Sequence, residues 1–153
     1  MPACAPDALP VESELTRTEV ILVVDDEESF RAAVVRQLQD AGFSTIEARD
    51  GSDAIKKFAE RREEITAVLL DLVMPNTPGG ETLAMLRYYD STLPVVVTSG
   101  YSEIDALRLR ETERGVGFVG KPFTAAELTN ELRRVIRERP PKHRHSTPPK
   151  PLF

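Results

Sequence analysis

Residues 20–28 read Val-Ile-Leu-Val-Val-Asp-Asp-Glu-Glu. Five apolar residues in a row, mostly β-branched, describe a strand buried on both faces, as in the interior of a parallel sheet. Four acids follow without a break, so the strand delivers a block of negative charge at its carboxyl end. The rest of the fold must therefore supply more parallel strands, helices over both faces, and something to offset that charge.

Working outward, Phe30, Val34, Leu38 and Ala41 recur at helical spacing, and Gly42 supplies a stop. Residues 43–48 (FSTIEA) form a weaker strand, Asp50-Gly51 a turn, and Ala54, Ile55 and Phe58 mark a short second helix. Residues 66–70 (TAVLL) give a third strand, followed by a Pro- and Gly-rich loop over 74–80 and a helix carrying Leu83 and Leu86. A fourth strand at 94–98 (PVVVT) precedes a helix over about 102–113, where Ile104 and Leu107 stand among many charges. The fifth strand is 116–119 (VGFV). Thr124 begins the last helix with Glu127 three residues on, the pattern of a capping box, and Leu128, Leu132, Val135 and Ile136 face the core. Alternation of this kind with short connections predicts an α/β fold: a flavodoxin-like (βα)₅ doubly wound parallel sheet, strand order 2-1-3-4-5.

The 153 residues fit one domain rather than two, and a net charge of −5 argues against a general nucleic-acid binder. No stretch approaches the length of a membrane span, and residues 1–19 lack the apolar core of a signal peptide, so a cytoplasmic location is expected. Cys4 is the single cysteine, and both histidines, His143 and His145, lie near the carboxyl end, so neither residue type can build a metal site in the domain. Residues 1–19 show no apolar period, and 140–153 (PPKHRHSTPPKPLF) hold five prolines and three Lys/Arg. Both ends are expected to be disordered, flanking a folded domain at 20–139, with the tail a linker stub or a docking peptide.

Ligands of such sheets bind beyond the carboxyl ends of the strands. That directs attention to Asp25 and Asp26, Asp71, Ser99 and Lys121. At an effective dielectric of about 20 and roughly 5 Å, each pair of these acids repels by about 3 kcal/mol. An oxygen-rich site without histidine or cysteine suits a hard cation such as Mg²⁺, and Lys121 brings a compact positive charge to the same rim. Singly, each residue has a plainer role. Asp25 and Asp26 could cap the first helix, Asp71 and Lys121-Pro122 could be turn residues, and Ser99 could simply end a strand. All of them at consecutive strand ends of one (βα)₅ pattern is a far more specific signal.

The stretches VVDDE (23–27), LLDLVMP (69–75), VVVTSG (95–100) and KPF (121–123) resemble the receiver domains of two-component response regulators, over about residues 20–139. The resemblance implies that Asp71 is the phosphoacceptor, taking a phosphoryl group from a phospho-histidine on a sensor histidine kinase or histidine phosphotransfer protein. It implies that Asp26, Asp71 and the Val73 backbone carbonyl hold Mg²⁺ (or Mn²⁺), with Asp25 acting mainly through water. Lys121, Ser99 and the Gly100 backbone N–H would receive the phosphoryl oxygens. Ser99 and Phe118 would act as the switch pair, and the Lys121-Pro122 bond would be cis. A downstream protein target would then read the surface made by the fourth helix, fifth strand and fifth helix. Such a domain is a signalling phosphoacceptor that catalyses only its own phosphorylation and dephosphorylation; it binds no membrane and, by this chain alone, no nucleic acid.

Departures from the family pattern are local. Thr77-Pro78-Gly79 replaces a common Met-Asp-Gly, and RLRETERG (108–115) replaces a small-residue helix end, which bears on the usual dimer surface. Ser-Gly-Tyr-Ser (99–102) with Gly-Phe-Val-Gly-Lys-Pro-Phe (117–123) is similar to receivers attached to hybrid histidine kinases, leaving open a stand-alone regulator or a kinase segment. Val73 and Tyr101 flank the expected path of the hydrolytic water and offer it no carboxylate or amide, so slow self-dephosphorylation is expected. Two enzyme-like or carrier rivals fail on residues. A haloacid-dehalogenase-like phosphatase needs an Asp where Val73 stands, and a flavin carrier needs a phosphate loop where Asp25-Asp26 would repel it. A phosphorylation-independent interaction module remains the alternative.

Overall fold

The computed structural model describes residues 18–74, 79–100 and 115–140. All but residues 18, 19 and 140 of the expected terminal extensions, most of the Pro/Gly loop, Tyr101 and the helix at 102–113 lie outside the described residues. Five strands, β1 (Val20–Val24), β2 (Ser44–Ala48), β3 (Ile65–Asp71), β4 (Val95–Ser99) and β5 (Val116–Gly120), form one parallel sheet. Their order is β2-β1-β3-β4-β5, as the alternation predicts. The helices among the described residues are α1 (Glu28–Asp40), α2 (Gly51–Arg61), α3 (Gly79–Tyr89) and α4 (Ala125–Glu138).

β1 shows why the sheet must be covered twice. Leu22 and Val24 point to one side, into a core with Ala54 and Phe58 of α2 and Leu83 and Leu86 of α3. Ile21 and Val23 point to the other, against Val34 and Leu38 of α1 and Leu128 and Leu132 of α4. With no polar residue at either parity, only a sandwiched position removes both sets from water. No helix among the described residues is long and apolar enough to cross a membrane.

The ends of the helices follow local chemistry. α1 stops in a Schellman arrangement: Gly42 takes φ +101°, its N–H donates to Gln39 O at 3.0 Å, and Phe43 N–H donates to Leu38 O at 3.0 Å. α4 opens with the predicted capping box, Glu127 N–H to Thr124 Oγ1 at 3.0 Å and Thr124 N–H to Glu127 Oε1 at 2.9 Å. Asp50-Gly51, read as a turn, is instead a helix start. Asp50 Oδ1 accepts the Asp53 N–H at 2.7 Å, so the acid serves as the N-cap and Gly51 opens α2.

Two further features fix the frame. At the amino end of the sheet, Arg139 closes on Asp90 Oδ2 at 2.7 Å and donates to Thr92 Oγ1 at 3.2 Å, tying the end of α4 to the α3–β4 connection. Along the outer edge of β5, Glu131 of α4 accepts the Phe118 N–H at 2.9 Å and is itself clamped by Arg134 at 2.7 and 3.0 Å. A side chain at Gly117 would run into that Glu131 carboxylate, so the close approach of helix to strand requires glycine there.

Candidate functional site

The register of the sheet brings four strand ends to one rim, with Val24 beside Leu70, Asp71 beside Thr98, and Ser99 beside Gly120. Backbone hydrogen bonds carry the pairing into the loops. Asp25 N–H donates to Ala48 O at 3.1 Å, Leu72 N–H to Thr98 O at 2.9 Å, and Lys121 N–H to Ser99 O at 3.0 Å. The residues just past β1, β3 and β5 are thereby tied to the neighbouring strand.

Asp25 and Asp71 are buried, at 4% and 5% exposure, whereas Asp26 is exposed. Each buried acid turns one oxygen back on its own loop: Asp25 Oδ1 accepts the Glu27 N–H at 2.9 Å and Asp71 Oδ1 the Val73 N–H at 3.1 Å. These are Asx turns. α1 takes Glu27 as N-cap without a side-chain cap bond, so the helix-capping role weighed for the Asp pair is not the one adopted. The second oxygens face Lys121 Nζ, 3.7 Å from Asp25 Oδ2 and 3.5 Å from Asp71 Oδ2. One oxygen from each of Asp25, Asp26 and Asp71 lies within 4.8 Å of the others.

One ammonium does not balance this cluster. Burial pushes the Asp71 carboxyl above its ordinary range, against the pull of the Val73 N–H and Lys121, and neighbouring Asp25 adds to the rise. Asp25 is raised chiefly by burial too, with Asp26 and Glu27 adding to it and the Glu27 N–H and Lys121 opposing. Two buried carboxylates whose charge is under-compensated, beside a third at the surface, form an all-oxygen donor set that further positive charge would stabilise. That chemistry fits a small divalent cation.

Val73, Gly100 and Lys121 line the cavity that holds the three acids, whereas Ser99 and Phe118 line a neighbouring one between Lys121 and α4. Ser99 is buried at the end of β4, and Gly100 is exposed beside the acids with open space around its Cα. Val73 holds its side chain outward, 45% exposed, while its N–H is committed to Asp71. Phe118 is half-buried on β5, with its ring over Gly120, and the Lys121-Pro122 bond is cis.

Two residues of α1 join the site: Phe30, whose spacing reads as core, and Arg31, which no sequence motif singles out. Arg31 donates from Nη1 to Asp25 O at 2.6 Å and pairs through Nε with Glu47 Oε1 at 2.9 Å, clipping the acidic loop to the end of β2. A base near the amino end of a helix opposes the helix dipole, and that mismatch was a usable signal for a local anionic or carbonyl partner. Phe30 lies under Lys121, with Nζ 4.3 Å from the ring centroid, and packs edge-on against Phe123 at 5.8 Å.

Set against known proteins, residues 21–133 match the family model described as the response regulator receiver domain. The transcriptional regulatory protein PrrA of Mycobacterium tuberculosis is 35% identical over 120 residues, 78% of this chain and 50% of that protein. The sensor kinase CckA of Brucella abortus is 30% identical over 124 residues, 81% of this chain but 13% of the kinase. The chain thus spans half the length of the regulator and a small part of the kinase. Among solved structures, chemotaxis protein CheY4 of Vibrio cholerae superposes with a TM-score of 0.71 at 28% identity, covering 77% of this chain and 98% of that one.

Proposed function

Because this chain belongs to the response regulator receiver domain family of two-component systems, we propose that Asp71 is its phosphoacceptor. The observation that carries the proposal is the convergence of Asp25, Asp26 and Asp71 within 4.8 Å, with Lys121 Nζ between the two buried acids. Asp26, Asp71 and the Val73 carbonyl would hold Mg²⁺ or Mn²⁺ with Asp25 in support, and the bound ion supplies positive charge for the phosphoryl oxygens.

The chain's own residues account for the rest. Asp71 Oδ2, turned away from the Val73 N–H that fixes the other oxygen, attacks the phosphorus of a phospho-imidazole on a histidine kinase or phosphotransfer protein. A P–O bond forms, the P–N bond breaks, and its electron pair stays on the imidazole, which takes a proton on leaving. Lys121 pairs with one phosphoryl oxygen, and the Ser99 hydroxyl and Gly100 N–H receive others. Electrostatics placed before the reaction in this way avoids reorganisation at the moment of transfer. Phosphorylation then biases Ser99, Phe118 and the surface around β5 and α4, which a downstream protein reads.

The test is intact mass after incubation with Mg²⁺ and acetyl phosphate, for wild type and Asp71→Ala. One added phosphoryl group in the wild type alone is expected. No gain in the wild type, also when a phosphorylated histidine donor is offered, would leave the chain a receiver-fold interaction module instead.

A further inference from the structure

We infer that Phe30 is a positioning residue for phosphoryl binding, its ring holding the Lys121 ammonium at the rim of the acid cluster. The inference rests on the phosphoacceptor reading and adds a part to it that no motif supplies.

Lys121 Nζ stands 3.5 and 3.7 Å from the two buried acids, longer than the roughly 2.7–2.9 Å of a charge-assisted hydrogen bond. It divides its charge between the two carboxylates without a short bond to either. Its close organic neighbour is the Phe30 ring, 4.3 Å below, and its side chain is only 25% exposed. A partly desolvated ammonium over an aromatic face is the setting in which the ring quadrupole attracts a cation most strongly.

The ring is fixed from both directions. Phe30 is the half-exposed first member of the α1 stripe, packed against the core behind Val34 and Leu38. It also meets Phe123 nearly perpendicularly, at 77°, and Phe123 lies two residues beyond Lys121 on the same loop. Lysine, ring and loop thus form a closed triangle across α1 and the end of β5.

A neutral partner does something here that acids do not. Asp26 and Asp71, if they held a divalent ion, would direct less of their charge at the Lys121 ammonium. Attraction to the Phe30 face does not fade when the acids are neutralised. Lys121 thus stays at the rim, desolvated and in reach of an incoming phosphoryl oxygen, instead of swinging out to water as a lysine stem otherwise allows.

The experiment replaces Phe30 site-specifically with mono-, di- and trifluorinated phenylalanine, which keep the ring's shape while draining negative charge from its face. Calorimetric binding of beryllofluoride, a phosphoryl mimic, is measured in saturating Mg²⁺, in otherwise wild-type protein and in Lys121→Ala. We expect affinity to fall stepwise with each fluorine, by about three- to tenfold over the series. Phe30→Leu should match the trifluorinated protein, melting temperatures should stay level, and no trend should remain in Lys121→Ala. A flat series, or a trend that persists without Lys121, overturns the inference while leaving Asp71 as phosphoacceptor. A wild type that neither binds beryllofluoride nor takes up a phosphoryl group overturns both.

Discussion

The two ends of the sheet solve opposite problems with similar residues. At the amino end, Arg139 and Asp90 meet one to one at 2.7 Å, with Thr92 taking a second donor of the guanidinium. At the carboxyl end, two buried acids share one ammonium at 3.5 and 3.7 Å, with Asp26 beside them, and burial pushes both buried carboxyls above their ordinary range. One end spends its charges on holding the fold; the other keeps charge unspent, at a cost to the fold, so that a ligand can use it. Stability and chemistry are separated along a single strand length.

That contrast can be broken most severely at the amino end. Arg139→Ala leaves Asp90, with its side chain 18% exposed, without its partner, and should cost about 2–3 kcal/mol in urea unfolding while phosphoryl uptake stays unchanged. Loss of uptake alongside stability would mean that the two ends are coupled. At the carboxyl end, Mg²⁺ at ten times its dissociation constant should stabilise the wild type by about 1.4 kcal/mol. Because protons compete for the raised acids Asp25 and Asp71, the gain should shrink as pH falls from 8 toward 5, followed by thermal melting.

A smaller effect has the opposite sign. Without metal, Asp71→Asn should be more stable than the wild type by about 1 kcal/mol, a rise of roughly 3–6 °C in Tm. The direction with pH follows from the raised carboxyls. A group that binds its proton more tightly when folded contributes stability below its unfolded pKa and loses that contribution as pH climbs through the folded value. The Asn variant should therefore gain more at pH 8 than at pH 4, and an equal gain at both would deny the strain. Least of all for stability, Val73→Asn should leave the melting curve in place, since the side chain is 45% exposed. It should shorten the lifetime of the aspartyl phosphate by about threefold, a modest change of roughly 0.6 kcal/mol in barrier, read by intact mass over time.

Much of this was legible along the chain because the signals are local. Strands declared themselves as β-branched runs, α4 by its Thr124–Glu127 box, and the site by polar residues at the ends of those runs. Asp50-Gly51 misled because an acid followed by glycine serves both a turn and an N-cap, and only the bond to Asp53 N–H decides between them. The Arg139–Asp90 closure joins residues 49 apart and the Arg31–Glu47 clip residues 16 apart, with no period to announce either. Phe30 was read as core because its spacing is that of core. That it also lies beneath Lys121 depends on how the end of β5 folds back over α1, which no stretch of sequence states.

One small contact at the margin of the sheet reaches further than its size. β5 is an outer strand, and a bare outer strand is a template on which another chain can zip. Glu131 occupies the Phe118 N–H in the middle of that margin, with Arg134 holding the carboxylate in place and Gly117 leaving room for it. The domain therefore carries its own stopper against unwanted sheet extension, set into the strand that also bears Phe118. The proposed swing of Phe118 would have to take place with that stopper in place, or else briefly expose an adhesive edge.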